Sequence, residues 1–266
     1  MSFGPLVSGE WLSEHLEQVR LVDVRWYLDG RSGRAAYDAG HLPGAVWLDI
    51  DTDLAEPAGP SEGRHPLASP ERFAAALGRV GIAAGQPVVA YDDAGGSTAA
   101  RLWWMLHVLG EPVAVLDGGL AAWRGPLVTT VAEVAPVERE PRPWPAQRFR
   151  TEDDVAALPA GTALYDARSA ARYAAGDPAI DPRPGHIPGA ASAPWADNLG
   201  PDGRFRPPAE LRTRYGDGPA VAYCGSGVTG CHDLLALAVA GNDDTALYPG
   251  SFSQWGSNTA RPVENG

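Results

Sequence analysis

The segment AVAYCGSGVTGC, residues 220–231, contains the features that predict both the fold and the chemistry of this chain. A short apolar run ends at Cys224, a glycine-rich loop follows, and an apolar helical pattern begins after Gly230. A loop between a buried strand and a helix turns its backbone N–H groups toward the residue at the strand end. Such amides favour an anion, so Cys224 is a candidate nucleophile. The alternative is that Cys224 is a small buried hydrophobic residue.

The composition is typical of a globular protein. The chain has 266 residues, of which 44% are hydrophobic and 20% charged, and no apolar run approaches the roughly 18 residues that span a bilayer. The first residues, MSFGPL, lack the basic and apolar regions of a signal peptide, so a cytoplasmic protein is expected. Two cysteines with no CxxC pair predict neither a disulfide framework nor a zinc site. We expect no metal and no cofactor.

The charge balance restricts the possible partners. The net charge is −12, and all 21 basic residues are arginine. This acidic balance argues against nucleic acid and against anionic membrane surfaces as partners. A small anionic substrate would therefore need a local arginine pocket.

The chain contains the same pattern twice. Two apolar runs with an Asp-x-Arg ending, two HxPGA motifs and two short apolar runs correspond in order: residues 21–25 and 164–168, 41–45 and 186–190, and 88–91 and 220–223. The large separation in sequence between equivalent motifs indicates a duplicated domain rather than a short solenoid repeat. In each copy, short apolar runs alternate with helical patterns, which predicts a mostly parallel sheet with helices on both faces.

The repeat also predicts the domain boundaries. We expect an α/β domain at residues 1–125, a proline-rich extended linker at 126–150 and a second α/β domain at 151–266. Ligands in open α/β sheets bind beyond the carboxyl ends of the strands. At the equivalent strand ends the second copy has Cys224 and the first has Asp92. The second domain is therefore expected to be catalytic, and the first to lack the nucleophile.

Two motifs identify a family resemblance. The pattern YxxxHLPGAxxL at residues 37–48 resembles the N-terminal rhodanese signature, and YPGSFSQW at 248–255 resembles the C-terminal one. In the second motif Gln254 stands where the family usually has Glu. The chain is similar to tandem-domain rhodaneses, which are sulfurtransferases. The resemblance implies two rhodanese-like domains and no cofactor.

The loop after Cys224 separates the classes within that family. Its neutral Cys-Gly-Ser-Gly-Val-Thr form resembles that of 3-mercaptopyruvate sulfurtransferases, whereas thiosulfate-using rhodaneses typically carry basic residues there. The resemblance implies that Cys224 takes sulfur from 3-mercaptopyruvate as a persulfide and passes it to a thiol, cyanide or a thioredoxin-like protein. The loop residues expected to bind the substrate and the transferred sulfur are Gly225, Gly227, Val228 and Thr229.

The same resemblance assigns further residues. Arg172 and Arg183 correspond to the arginines that hold the donor's carboxylate and keto oxygen, a task that suits the planar guanidinium fork. Ser226, His65 and Asp51 correspond to a relay in which an oriented base polarises a hydroxyl. The alternative is a pair of solvated arginines, a loop histidine and a helix-capping aspartate.

Other residues and other functions are less favoured by the pattern. His41 and His186 occur in both copies although only one copy has the nucleophile, so a structural role in the turn is expected, and Cys231 is expected to be a buried helix residue. Phosphatases that share this fold need an arginine six residues after the cysteine, where this chain has Gly230. A non-enzymatic binding module and a thiosulfate sulfurtransferase are the remaining alternatives.

Overall fold

The computed structural model describes residues 3–59 and 61–265 and divides into two compact units. The first unit contains the chain up to Glu56, Ala68–Trp144 and Pro201–Phe205. The second contains Pro57–Leu67, Pro145–Gly200 and the chain from Arg206 onward. The segment 57–67 therefore belongs to the same unit as Cys224, although it precedes the second sequence repeat.

The first unit is a parallel sheet with helices. Among the described residues its sheet has five strands in the order β1-β5-β4-β2-β3. The strands are β1 Leu6–Val7, β2 Arg20–Asp23, β3 Val46–Trp47, β4 Val88–Tyr91 and β5 Val113–Leu116. The helices are α1 Gly9–His15, α2 Gly33–Ala39, α3 Pro70–Arg79 and α4 Ala99–His107.

The second unit repeats this plan with a smaller sheet. Within the described residues its four parallel strands lie in the order β7-β6-β8-β9. The strands are β6 Ala163–Asp166, β7 Ala191–Ser192, β8 Ala220–Tyr223 and β9 Thr245–Leu247. The helices are α5 Glu152–Ala156, α6 Ala170–Ala175, α7 Pro208–Tyr215, α8 Gly230–Val239 and α9 Ser251–Trp255. Two parallel sheets with helices confirm the predicted fold class.

The two central strands, β4 and β8, are buried along their whole length. Each is a continuous apolar run because helices and neighbouring strands leave no solvated face in a parallel sheet. Tyr91 and Tyr223 end these strands and pair with equivalent positions of the adjacent strands. The next residues, Asp92 and Cys224, therefore lie at matching ends of the two sheets.

Each unit has a buried ion pair between the aspartate and the arginine of its Asp-x-Arg motif. Arg25 and Arg168 bind the carboxylates of Asp23 and Asp166 at 2.6 and 2.7 Å. Each arginine also donates to the carbonyl oxygen of the glycine that precedes the HxPGA motif. The pair thus ties the strand end to that turn, which explains why Asp-x-Arg and HxPGA recur together.

The two motif histidines contact their own turns. His41 Nδ1 lies 2.8 Å from the Tyr37 carbonyl oxygen, and His186 Nδ1 lies 3.1 Å from that of Tyr173. Each ring also stacks on the same tyrosine, at 3.8 and 3.7 Å between centroids. These contacts are equivalent in the two units and account for the duplication without a catalytic role.

The proline-rich segment after Trp123 forms no strand and no α-helix between residues 126 and 145, all of which are described. It is bound to the first unit at Val137, whose N–H donates to the Gly78 carbonyl oxygen, and at Trp144, which packs on Phe73. In the described part of the chain, no helix combines the length and apolarity needed to cross a membrane.

Candidate active site

Cys224 follows β8 directly and is 2% exposed. Its Sγ atom accepts hydrogen bonds from the N–H groups of Ser226 at 3.4 Å and Gly227 at 3.1 Å. Residues 225–229, which we call the nucleophile loop, connect it to α8. The loop curls round the sulfur as predicted, and backbone donors around a sulfur stabilise its anionic form.

Two glycines of the nucleophile loop are required by their surroundings. Gly227 has φ +79°, and a Cβ atom there would lie 2.5 Å from the Pro249 carbonyl oxygen. A Cβ atom on Gly225 would lie 2.7 Å from Nη2 of Arg64 and 2.8 Å from Nη2 of Arg172. Gly227 therefore permits the turn, and Gly225 permits two guanidinium groups to approach the loop.

Residues at the start of α9 hold the backbone of Cys224 by hydrogen bonds. The Cys224 N–H donates to Ser251 Oγ at 3.1 Å, and that hydroxyl donates to the Tyr248 carbonyl oxygen. Ser251 has φ +53°, a conformation that costs a non-glycine residue energy. The N–H of Phe252 donates to the Cys224 carbonyl oxygen at 2.9 Å. The C-terminal signature is thus the structural support of the nucleophile.

Ser226 and His65 are brought together. A hydrogen bond of 2.7 Å joins Ser226 Oγ and His65 Nδ1, and the two residues are 7% and 6% exposed. The distance is that of a good hydrogen bond between a hydroxyl oxygen and an imidazole nitrogen. The sequence-predicted pair is therefore adjacent, two residues beyond the thiol.

The segment 57–67 is held against the second unit by the C-terminal signature. The Arg64 N–H donates to Ser253 Oγ at 3.0 Å, and Gln254 Nε2 donates to the Ser61 carbonyl oxygen at 2.7 Å. Gln254 Oε1 accepts from the Tyr248 hydroxyl at 2.9 Å. A glutamate could accept the bond from Tyr248 but could not donate the bond to Ser61. Glutamine at 254 is therefore matched to this segment.

Arg64 is a site residue that the sequence patterns did not indicate. Its Nη1 donates to the Ile180 carbonyl oxygen, and its Nη2 faces Gly225. Burial lowers the pKa of Arg64, and the nearby guanidinium groups of Arg172 and Arg168 lower it too, while Cys224 and Asp181 act in the opposite direction. Its position next to His65 was the available signal, because the histidine could not reach the loop without bringing its neighbour.

Arg172 also lies at the nucleophile loop, and it has an acidic partner. Its Nε and Nη2 donate to the two carboxylate oxygens of Asp181 at 2.9 and 2.5 Å. Burial raises the pKa of Asp181, but the hydrogen bonds and charge of Arg172 outweigh burial and hold that pKa below its usual value. Arg64 and Asp181 line a cavity of about 290 Å³. Arg64 therefore offers this cavity a guanidinium group that can bind an anion.

Arg183 has different partners from those expected for a substrate-binding residue. Its Nη2 donates to the carbonyl oxygens of Trp255, Asn258 and Arg261, at 3.3, 3.1 and 2.5 Å. These contacts bind the C-terminal segment, and a role of Arg183 in binding the donor stays a prediction. The second guanidinium at Gly225 is that of Arg64.

Three further predicted residues have less specific surroundings. Val228 is buried and Thr229 immediately precedes α8, where their carbonyl oxygens accept the first helical N–H bonds. Asp51 is described in the first unit, where its Oδ2 accepts from Trp26 Nε1 at 2.9 Å. Its place in a relay with His65 stays a prediction.

The second cysteine is also accounted for. Cys231 is fully buried on α8, its Sγ donates to the Gly227 carbonyl oxygen at 3.3 Å, and neither cysteine is part of a disulfide. It therefore packs beneath the loop as a helix residue.

The equivalent loop of the first unit is filled by its own side chain. The Asp92 carboxylate accepts from the N–H groups of Ala94, Gly96, Thr98 and Ala99 at 2.8 to 2.9 Å. It is 1% exposed. The amides that could bind an external anion are thus occupied by the Asp92 carboxylate.

Comparisons with known proteins agree with this geometry. A family model described as the rhodanese-like domain matches residues 8–125 and 151–258. The chain therefore belongs to the rhodanese-like family and contains two copies of its domain, which confirms the resemblance found in the motifs.

Relatives within the family are similar over nearly the full chain. A Pseudomonas aeruginosa protein named a probable 3-mercaptopyruvate sulfurtransferase is 40% identical over 100% of both chains. A Mycobacterium tuberculosis protein, provisionally named thiosulfate sulfurtransferase SseB, is 38% identical over 94% of this chain and 92% of its own length. The crystal structure of SseA, a 3-mercaptopyruvate sulfotransferase of Escherichia coli, has a TM-score of 0.82 and 33% identity over 94% of this chain and 100% of that one.

Proposed function

We propose that this chain is a sulfurtransferase that moves sulfur from 3-mercaptopyruvate to a thiophilic acceptor through a Cys224 persulfide and releases pyruvate. The observation that carries the proposal is the hydrogen bond between Ser226 and His65, two residues beyond a thiol whose Sγ already accepts two backbone N–H bonds. The names of relatives at 35 to 40% identity support the same donor.

The first half-reaction uses the thiolate of Cys224. It attacks the sulfur of the donor, the carbon–sulfur bond breaks, and its electron pair stays on carbon as the enolate of pyruvate. The proton that the donor sulfur carried ends on that carbon, so pyruvate leaves and the persulfide remains as an anion. The Ser226 and Gly227 amides stabilise the negative sulfur.

The Ser226 hydroxyl acts on the departing pyruvate. With the Nδ1–H of His65 donating to Ser226 Oγ, the single hydroxyl hydrogen is left to donate to the enolate oxygen, where charge develops only as the bond breaks. Asp51 is proposed to orient His65. Arg64 and Arg172 are proposed to hold the donor's carboxylate beside Gly225, where both guanidinium groups lie.

The second half-reaction returns the enzyme to its starting state. A thiol, cyanide or a thioredoxin-like protein attacks the outer sulfur, the sulfur–sulfur bond breaks, and the Cys224 thiolate is restored. This is ping-pong chemistry, and it needs no cofactor. A cytoplasmic location remains part of the proposal.

Thiosulfate is the alternative donor, favoured by the name of the mycobacterial relative. The ratio of kcat/KM for 3-mercaptopyruvate to that for thiosulfate, with cyanide as the common acceptor, decides between them. We expect the ratio to exceed about 10, since the loop itself contributes amides and a hydroxyl but no charged side chain. A ratio below one would assign the chain to the thiosulfate class.

A further inference from the structure

The charged side chains around the nucleophile loop affect which sulfur donor the site favours. This inference rests on the proposed sulfurtransferase activity. The guanidinium groups of Arg64 and Arg172 both approach Gly225, and the charges of Arg172 and Arg168 lower the pKa of Arg64. Arg168 is paired with Asp166 at 2.7 Å, and Arg172 with Asp181 at 2.5 Å. Arg64 forms no ion pair with a carboxylate in the described part of the chain. Apart from the Cys224 thiolate, two carboxylates therefore accompany three guanidinium groups, and one positive charge has no carboxylate partner.

We propose that Asp181 determines donor specificity: its carboxylate neutralises and positions Arg172, so that the site favours a donor with one carboxylate over a doubly charged donor such as thiosulfate. Asp181 is a positioning residue in this account. It acts through Arg172 and through the local charge, and it does not contact the reacting atoms.

The Asp181 carboxylate is buried, and several groups of the protein bind both of its oxygens. Its side chain is 1% exposed and binds Arg172 through both oxygens. Oδ2 also accepts from the Asp177 N–H at 2.9 Å, and Oδ1 lies 3.5 Å from Arg168 Nη1. Because these partners surround the carboxylate, it is not available to bind a substrate. Because water is excluded, its charge is weakly screened.

Removing this charge should change kcat/KM by different factors for the two donors. Asparagine has nearly the same size, but Asp181→Asn leaves Arg172 as a second uncompensated positive group. A unit of added positive charge attracts a dianion about twice as strongly as a monoanion. The site should therefore improve for thiosulfate relative to 3-mercaptopyruvate, and the effect should weaken in high salt.

The test compares Asp181→Asn with Asp177→Asn, which removes the same charge from the same segment. Asp177 Oδ1 accepts only the Ala179 N–H, and Asp177 forms no ion pair in the described residues. With cyanide as acceptor, the thiosulfate to 3-mercaptopyruvate ratio of kcat/KM should rise about tenfold in Asp181→Asn at low ionic strength and less than about twofold in the control. An unchanged or lower ratio in Asp181→Asn, or an equal rise in Asp177→Asn, would overturn the inference.

Two further measurements keep the test decisive. Asp181→Glu keeps the negative charge, so its ratio should stay within about threefold of the native value; a large rise would contradict the charge account even if Asp181→Asn does not fold. The native ratio tests the proposed function, whereas its change on substitution tests this inference. Each can therefore fail without the other.

Discussion

Ser226 Oγ lies 2.7 Å from Nδ1 of His65, although 161 residues separate the two along the chain. The contact depends on segment 57–67, which packs in the second unit with Cys224. The proposed account gives the hydroxyl a role in the release of pyruvate, a product that thiosulfate does not generate. This relationship makes the first prediction specific to one donor.

We expect Ser226→Ala to lower kcat for 3-mercaptopyruvate by about 10² and kcat for thiosulfate by less than about threefold. The reason is that only the first donor leaves as an enolate that needs a hydrogen bond. Steady-state kinetics with both donors check this. Ser13→Ala, which removes an exposed hydroxyl on α1, is the matched control. Equal losses with both donors would remove the hydroxyl from the mechanism.

Arg64 and Arg183 should behave differently when each is replaced by glutamine. Arg64→Gln should raise KM for 3-mercaptopyruvate about tenfold or more, because its guanidinium lies at Gly225. Arg183→Gln should lower Tm instead, because it loses three bonds to the C-terminal segment. Kinetics and thermal unfolding of both variants distinguish the roles. A KM effect in Arg183→Gln as large as that in Arg64→Gln, with native Tm, would restore Arg183 as a substrate-binding residue.

Gln254→Glu should weaken the attachment of segment 57–67. The glutamate can still accept from Tyr248, but it cannot donate to the Ser61 carbonyl oxygen, and two acceptors would face each other. The expected cost is about 1–2 kcal/mol in the free energy of unfolding, with a lower kcat because His65 is less well held. Gln86→Glu is the matched control, since Gln86 Oε1 only accepts from the Ala83 N–H. Native stability and kcat in Gln254→Glu would show that this contact does not support the site.

The buried carboxyl of Asp233 predicts a pH dependence of stability. Burial raises its pKa to about 8, partly offset by hydrogen bonds with Tyr215 and Asn198 and by the charge of Arg214. Between an ordinary carboxyl pKa of about 4 and this value, the native state keeps a proton that the unfolded state releases. The free energy of unfolding should therefore fall as pH rises through this range and level off above it.

Asp233→Asn should remove this dependence, because an amide resembles the protonated acid and keeps the acceptor for Asn198 Nδ2. Its Tm relative to the native protein should be higher near pH 8 than near pH 5. Thermal unfolding at both pH values measures the difference. A Tm difference that is the same at both values would mean that Asp233 is ionised throughout.

Local patterns made part of the site predictable from the sequence. The nucleophile loop follows from a buried strand, glycines and a helix that are consecutive in the chain, so the sequence alone predicts that backbone N–H groups surround Cys224. The duplicated strand and turn motifs likewise predict two parallel sheets. The sequence also shows that Asp92 stands where the second copy has Cys224. The hydrogen bonds that four backbone N–H groups donate to its carboxylate depend on how the loop closes.

The missed residues depend on tertiary contacts. Arg64 reaches Gly225 because segment 57–67 packs against residues 250–254, a pairing that no local pattern encodes. Asp181 differs from the acidic residues at the surface because it is buried against Arg172, and no local pattern shows this. The resemblance assigned Arg183 by motif position alone, whereas its fork binds carbonyl oxygens of the C-terminal segment.

The most direct test of the central claim is intact-mass measurement after one turnover with 3-mercaptopyruvate and no acceptor. The account predicts that the native protein gains the mass of one sulfur atom, releases one equivalent of pyruvate, and loses the added mass when cyanide is supplied. Cys224→Ser should gain no mass, whereas Cys231→Ser should behave as the native protein does. A sulfur atom added to Cys224→Ser, or pyruvate released without added mass on the native protein, would contradict transfer through a Cys224 persulfide.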